Sequence, residues 1–292
     1  MRSFSEYDPI TIAVYFLTVT GIAMFCHHPA VTVIALSGGL LLYLERNRIS
    51  GGRFHLFLLG LFVVLAAVNP LISHNGATVL LVVNDSPVTL EALLYGVNSA
   101  AMIVAVLYWL RSFTQIMTSE KLLRIFGVLS PKLALALSMT VRFVPMFSRQ
   151  ARRINDTQKA LGLYREDNVI DGVCGSMRVF DILVTWALEN GIITADSMEA
   201  RGYGSGRRTP YTDYRLHRWD ILLLTADFIL AAVCIAAAAA DSLDISFYPH
   251  ITVTGSSALR TAGAAAYGVL VLLPVIIDTE VSIRWRLFRS AD

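Results

Sequence analysis

The sequence predicts an all-α membrane protein, a polytopic bundle of about six spanning helices with a cytoplasmic block of long amphipathic helices. Composition indicates this fold, because 55% of the 292 residues are apolar and only 16% are charged, against about 25% in soluble domains. The charges are also concentrated, since residues 111–218 hold 16 of the 24 Lys and Arg and 10 of the 22 acidic residues. We therefore expect a membrane segment at 1–110, the charged block, and a membrane segment with a basic tail at 219–292.

The six predicted spans are apolar runs that are long enough, or nearly long enough, to cross a bilayer. About 20 residues are needed, because a helix rises about 1.5 Å per residue across roughly 30 Å of hydrocarbon. The runs lie at about residues 10–25, 30–44, 54–72, 90–110, 219–240 and 259–277. The apolar run at 77–83 is too short to span, so it is expected to be re-entrant or to lie on the membrane surface.

The basic residues predict the orientation of these spans, because Lys and Arg are enriched in cytoplasmic loops. Arg46, Arg48 and Arg53 lie between the second and third spans, and the charged block lies between the fourth and fifth. The other loops contain no Lys or Arg; they are residues 27–29, 73–89 and 241–258. The sequence therefore predicts a multi-pass protein with both termini in the cytoplasm.

Residues 111–218 have the periodicity of amphipathic helices. Ser119 and Glu120 are typical of a capped helix start, and Pro131 is expected to open the next helix. Apolar residues then recur every three or four positions, and two helices are expected to end at Gly162 and Gly202. Helices that cover a small cytoplasmic core would give this pattern, and so would a docking platform for a partner. The pattern alone favours the first interpretation.

Motifs of a catalytic or cofactor site are missing from the sequence. It has no GxxxxGK[ST], HExxH or GxSxG motif, and its scattered histidines and three cysteines predict neither a metal site nor a disulfide framework. The net charge of +2 is too balanced for a nucleic-acid binder. We expect no enzyme activity, no cofactor and no nucleic-acid partner. An intramembrane lipid or prenyl transferase would need clustered acids or a histidine–acid pair near an interface, and the sequence shows neither.

Asp227 lies inside the fifth predicted span. An intramembrane carboxylate is a functional candidate by default. The favoured alternative is a buried polar contact between helices, with Asn98 of the fourth span as its partner.

Three stretches of sequence resemble one family of membrane proteins. They are residues 69–76 (NPLISHNG), residues 91–160 (with EALLYG, MTSEK, LSMTVRFVP and QKA) and residues 195–203 (ADSMEARGY). Together and in this order they look like the transmembrane T component of energy-coupling factor transporters, the family that includes the cobalt-uptake protein CbiQ. The tripeptide at 200–202 is the most specific piece.

The resemblance implies a scaffold role in an importer of a vitamin or a transition-metal ion in a prokaryotic cell membrane. The T component joins two ABC-type ATPases, which bind the ATP, to a small membrane protein, the S component, which binds the substrate. Each of two long coupling helices ends in an Ala-Arg-Gly-like motif that docks on one ATPase. The membrane permease domain of a conventional ABC importer is the alternative, because its coupling loop also carries a Glu-Ala-Ala…Gly pattern.

The resemblance assigns the docking role to two tripeptides. Ala200, Arg201 and Gly202 match the second motif fully, and the first falls at Ala160, Leu161 and Gly162, where leucine replaces the family's arginine. Lys159 or Arg165 is a candidate substitute for the missing guanidinium, or this end docks mainly by apolar contact. Arginine presents five donors in a planar fork, which suits Arg201 to a carboxylate or to helix-end carbonyls of a partner.

Overall fold

The computed structural model describes all residues except 1–2, 48–51, 73–75, 84–85, 164–168, 207–216, 249–251, 254 and 290–292. After a short 3₁₀ helix at Phe4–Glu6, its helices are α1 Pro9–Phe25, α2 Pro29–Asn47, α3 Gly52–Ile72, α4 Leu90–Ile116, α5 Ser119–Leu129, α6 Pro131–Ala160, α7 Val169–Ala200, α8 Arg218–Ala239 and α9 Ser257–Arg289. Two antiparallel hairpins pair β1 Val79–Val83 with β2 Ser86–Thr89, and β3 Ile245–Ser246 with β4 Thr252–Val253. The chain forms two compact units: a bundle unit of Met1–Thr118 with Arg215–Asp292, and a middle unit of Ser119–Tyr214.

The bundle unit contains the membrane helices. Within the described residues, α2, α3, α4, α8 and α9 are long and apolar enough to cross a membrane, and α1 is apolar but shorter, at 17 residues. Each of the six predicted spans coincides with a helix, which confirms the all-α polytopic fold. The apolar run at 77–83 contributes β1 to a hairpin instead of a helix.

Side chains fix several of the helix starts. At α1, Asp8 accepts a hydrogen bond from the Ile10 amide, and Pro9 takes the first helical position, where no amide is needed. At α4, the Thr89 hydroxyl accepts from the Ala92 amide at 3.3 Å. At α8, Asp220 accepts from the His217 amide at 2.8 Å. These caps satisfy backbone donors that the helices leave open.

Small residues let the bundle helices approach closely. The Trp109 indole nitrogen of α4 donates to the Ala35 carbonyl of α2 at 2.9 Å, and the residue is fully buried. A Cβ atom on Gly39 would lie 3.0 Å from that indole nitrogen, and one on Gly38 would collide with Val271 of α9. The two glycines of α2 therefore set the distance to both α4 and α9, as small residues do in membrane bundles.

The first residues of the chain are anchored to the bundle. Phe4 is fully buried, and its amide donates to the Asp278 carboxylate of α9 at 2.7 Å. Asp278 also lies 3.6 Å from the guanidinium of Arg46 on α2. The Asp8 amide donates to Asp220 of α8 at 3.0 Å. The segment that precedes α1 is thus bonded to α8 and α9, and Asp278 links it to Arg46 of α2.

Candidate partner-docking site

Two long helices of the middle unit carry the predicted docking motifs. The ring of Phe147 on α6 meets Trp186 of α7 edge-on at 5.9 Å between centroids, and Phe143 stacks on Phe147 at 5.6 Å. Arg178, early in α7, donates to the Leu163 carbonyl just beyond the end of α6, at 3.4 Å. The start of α7 therefore lies beside the end of α6, and the two helices are antiparallel.

The two motifs consequently lie at opposite ends of this helix pair. The first follows the end of α6, beside the start of α7. The second follows the end of α7, where Met198 and Tyr203 line a cavity together with Met139 and Phe143 of α6. The stretch of α6 between Met139 and Ala160 is roughly 30 Å long. Two separate partners could each reach one motif without meeting the other.

The end of α6 is closed by a Schellman motif. The Gly162 amide donates to the Lys159 carbonyl at 3.0 Å, and the Leu163 amide donates to the Gln158 carbonyl at 3.1 Å. Gly162 has a φ of +69°, a left-handed conformation that glycine adopts without the steric cost of a Cβ atom. This geometry explains why the helix ends where the sequence predicts.

The end of α7 repeats this arrangement residue for residue. The Gly202 amide donates to the Glu199 carbonyl at 2.8 Å, the Tyr203 amide donates to the Met198 carbonyl at 3.0 Å, and Gly202 has a φ of +80°. The Ser205 hydroxyl then donates to the Gly202 carbonyl at 2.7 Å and tightens the turn. The two predicted motifs are therefore one local structure used twice.

The two helix ends differ in the residue that precedes the glycine. Leu161 and Arg201 occupy the same position, and both are exposed, Leu161 to 68%. Within the described part of the chain, Arg201 forms no ion pair. One helix end thus presents an apolar tip and the other presents a guanidinium.

Lys159 and Arg165 are the candidate substitutes for the arginine that the first motif lacks. Lys159 is exposed on the last turn of α6 and already has an interaction within the protein. Arg165 lies outside the described residues. Ala160 and Ala200, which precede the tips, are both exposed, so small side chains flank both docking positions.

A cavity of about 460 Å³ adjoins the second motif. It lies between the first half of α6 and the end of α7, and Met139, Phe143, Met198, Glu199 and Tyr203 are among its lining residues. Tyr203 and the matching Leu163 were not predicted as site residues. The signal was present, because a hydrophobic residue directly after the glycine is part of a Schellman motif.

The other face of α7 is an exposed apolar stripe. Five side chains spaced three or four residues apart point away from the contact with α6, and each is at least 40% exposed; they are Val173, Met177, Phe180, Val184 and Leu188. The interpretation that these residues cover a cytoplasmic core does not hold for this face. Patches of this kind mark interaction sites.

Asp227 and Asn98 do not contact each other. Asp227 is fully buried on α8, and one of its carboxylate oxygens, Oδ2, accepts a hydrogen bond from the Thr18 hydroxyl of α1 at 3.2 Å. Asn98 of α4 donates its amide to the His27 carbonyl at 3.0 Å. Each makes a buried polar contact between parts of the bundle, but with a different residue. The partners were not predictable, because they depend on which helices are neighbours.

No group of three or more His, Cys, Asp or Glu side chains in the described ranges is placed to hold a metal ion. The Nδ1 atom of His27 lies 3.6 Å from a carboxylate oxygen of Asp244.

Comparison with protein families places this architecture among known transport proteins. The model of the family CbiQ, described as cobalt transport protein, matches residues 9–212. This range runs from the first bundle helix through both docking motifs, and it agrees with the resemblance found in the sequence.

Individual relatives match over shorter stretches. A protein of Streptococcus thermophilus, named energy-coupling factor transporter transmembrane protein EcfT, is 34% identical over 115 residues, which is 39% of this chain and 44% of that protein. Proteins with the same name from Lacticaseibacillus paracasei and Lactobacillus helveticus are 34% and 32% identical over 102 and 112 residues. These two alignments cover 34% and 38% of this chain and 39% and 40% of the relatives, so each of the three spans less than half of the relative's length.

Proposed function

Because the chain belongs to the CbiQ family of cobalt transport proteins, we propose that it is the transmembrane T component of an energy-coupling factor transporter. It resides in a prokaryotic cell membrane with both termini in the cytoplasm. It joins two ABC-type ATPases to an S component that binds a vitamin or a transition-metal ion. The names of the relatives support this role over that of a permease domain in a conventional ABC importer.

One observation carries the proposal. The same Schellman-closed tip occurs at both ends of one antiparallel helix pair, roughly 30 Å apart along α6. A single binding partner has no need for two such tips at opposite ends, whereas two copies or homologues of an ATPase do. Each tip docks on one ATPase subunit.

Arg201 is the charged anchor of the second tip. Its guanidinium is exposed, and the left-handed turn at Gly202 leaves it at the extreme end of α7. It binds a carboxylate or helix-end carbonyls in a groove of the ATPase. A charged anchor that becomes desolvated at an interface often contributes a large share of the affinity.

The first tip docks mainly by apolar contact. Leu161 is 68% exposed and Leu163 is 50% exposed, so burial of both against an ATPase removes apolar surface from water. The two ATPase contacts are therefore chemically different, which would let the protein distinguish two non-identical ATPase subunits.

The apolar stripe of α7 faces the S component. A small and very hydrophobic membrane protein matches a surface formed by side chains such as Met177, Phe180 and Leu188, which are all more than 60% exposed. Methionine and phenylalanine suit a surface that must accept a partner in more than one arrangement.

The mechanism is mechanical and involves no chemistry within this chain. The ATPases bind and hydrolyse the ATP, and their closing and opening move the two tips. Rigid helices carry that movement to the membrane, where the S component reorients and its substrate faces the cytoplasm. Such coupling requires an element with two positions.

Substrate uptake by cells that express the complete transporter tests the proposal. Arg201→Ala is expected to lower both ATP-dependent uptake and the amount of ATPase that co-purifies with the chain. Arg149→Ala is the matched control, because Arg149 is an exposed arginine in the middle of α6. It lies roughly 15 Å along that helix from Met139, beside the second tip, and a similar distance from Ala160, which precedes the first. If uptake and ATPase recovery are unchanged in Arg201→Ala, the docking role is wrong.

A further inference from the structure

A groove in the bundle unit lies between α2, α3 and α4, and the proposed transport role does not use it. Its volume is about 590 Å³, and most of its walls are apolar. Leu36 and Leu40 line it from α2, Leu59 and Phe62 from α3, and Val104 from α4. Such walls fit an apolar chain and not a polar solute.

One end of this groove is polar. His55 and Tyr108 line it there, and the Nδ1 atom of His55 lies 2.8 Å from the Tyr108 hydroxyl oxygen. Gly52, the first residue of α3, lines the same end. A molecule with a polar head and an apolar chain therefore has one defined direction in the groove.

Two exposed arginines lie next to the polar end. Arg53 follows Gly52 in the chain, and the guanidinium carbon of Arg111 lies 5.7 Å from the ring centroid of Phe54. The Phe54 ring in turn lies 5.9 Å from that of Tyr108. Among the residues with described side chains, neither arginine pairs with a carboxylate. An anionic group can bind here without displacing an ion pair to any of those described residues.

The length of the groove corresponds to one leaflet of a bilayer. From Gly52 to Phe62, α3 rises roughly 15 Å, which is half of the roughly 30 Å of hydrocarbon. The polar end then lies at the level of the lipid headgroups, and the apolar part lies at the depth of one layer of acyl chains.

We infer that this groove binds one anionic phospholipid, with an acyl chain between α2 and α3 and its phosphate at Arg53 and Arg111. A zwitterionic lipid fits the apolar walls equally well. Its headgroup carries a cation beside the phosphate, so it gains less from two arginines. The inference does not depend on the proposed ATPase docking, because every residue that carries it lies in the bundle unit and both docking motifs lie in the middle unit.

Native mass spectrometry of the full-length protein tests this site. The protein is purified in the presence of equal amounts of phosphatidylglycerol and phosphatidylcholine, and the ratio of the two bound lipids is measured. The wild-type protein is expected to retain phosphatidylglycerol preferentially. Arg53→Gln and Arg111→Gln are each expected to lower the ratio roughly fivefold, since each removes one favourable contact with an anionic headgroup.

Two further variants distinguish lipid binding in this groove from a general effect of charge and from non-specific lipid binding. Arg218→Gln removes an exposed arginine at the start of α8, outside the groove, and should leave the ratio unchanged. Leu59→Trp fills the groove and should reduce retention of both lipids. Equal retention of the two lipids by the wild-type protein overturns the inference, and so does a fall in Arg218→Gln as large as that in Arg53→Gln.

Discussion

Leu161 and Arg201 occupy the same position at the ends of two helices. Each precedes a glycine with positive φ, at +69° for Gly162 and +80° for Gly202. The amide of Leu161 donates to the Thr157 carbonyl at 3.0 Å, and that of Arg201 donates to the Ser197 carbonyl at 3.3 Å. The backbone is therefore equivalent at both sites, and only the side chain that each tip presents differs.

Because only the side chains differ, truncation to alanine should weaken ATPase binding by different amounts at the two tips. Arg201→Ala should weaken binding of one ATPase roughly 30-fold, as expected for a charged residue central to an interface. Leu161→Ala should weaken binding of the other by less than tenfold, because only apolar area is removed. Binding of each purified ATPase to the detergent-solubilised variants measures both effects. Equal losses would contradict the proposed asymmetry.

Substitution of Gly162 or Gly202 by alanine should destabilise the protein, although Gly162 has free space around it. A Cβ atom on Gly162 would meet nothing within 4 Å, so the cost of Gly162→Ala comes from the left-handed backbone and should be about 1 kcal/mol of unfolding free energy. Gly172→Ala is the control, because Gly172 is also uncrowded but lies inside α7 without a positive φ. There alanine should stabilise the protein by about 0.5–1 kcal/mol.

Denaturant unfolding of the two alanine variants in detergent gives this comparison. Opposite signs support the assigned helix ends. If both substitutions stabilise the protein, α6 continues through Gly162 and the tip is not formed as described.

The buried contact between Thr18 and Asp227 should contribute to stability as a pair. Thr18→Val removes the hydroxyl donor and leaves Asp227 without it inside the bundle, which should cost about 1–3 kcal/mol. Asp227→Asn keeps an acceptor oxygen for Thr18 and should be tolerated. The double variant Thr18→Val with Asp227→Leu should recover part of the loss, because no polar group is then left unpaired.

Thermal unfolding of these variants provides the measurement. Asp227→Leu is also measured alone. A double variant that loses as much as the sum of Thr18→Val and Asp227→Leu would show that the side chains act independently. Loss of transport in a fully stable Asp227→Asn would instead assign Asp227 a role in the transport step.

The loop that precedes α2 should make stability depend on pH. The His28 Nδ1 atom accepts a hydrogen bond from the Ala30 amide at 3.1 Å, so it acts as a cap only when that nitrogen is unprotonated. Burial lowers the pKa of His28 from its usual value near 6.5, and the Arg260 guanidinium lowers it further. The folded state thus binds fewer protons than the unfolded state near this pH.

The sign of the pH effect follows from this lowered pKa. The contribution of His28 to stability is complete above pH 6.5 and is lost progressively as the pH falls from there through the lower pKa of the folded state. His28→Asn keeps a capping oxygen that does not titrate. Unfolding temperatures of both proteins between pH 5 and 8 should diverge at the acidic end, with the wild-type protein falling more, and parallel curves would rule out His28 as the cause.

Much of the fold followed from the sequence, because apolar runs and helix-ending glycines are local signals. The predicted ends at Gly162 and Gly202 lie where the left-handed residues are found. The helix that contains the fourth predicted span is longer than that span, which was drawn to about residue 110 because the charge of Arg111 interrupts the apolar run. In the structure α4 continues to Ile116, and Arg111 is accommodated by stacking over Phe54.

The rest depended on contacts between distant parts of the chain. The partner of Asp227 comes from α1, and the exposed stripe on α7 became visible only once α6 was seen to cover a different face. An amphipathic pattern reports that a helix has an apolar face but not which surface covers it. For that reason the sequence could not choose between a covered core and a docking surface.

Photo-cross-linking from the two tips tests the central proposal most directly. A photoreactive amino acid is placed at position 161 or 201 of the full-length protein and activated in cells that express the whole transporter. Both positions should form a cross-link to an ATPase subunit, and the same probe at position 260, in the first turn of α9, should not. If neither tip cross-links to any nucleotide-hydrolysing subunit, the ATPases do not dock on these helix ends.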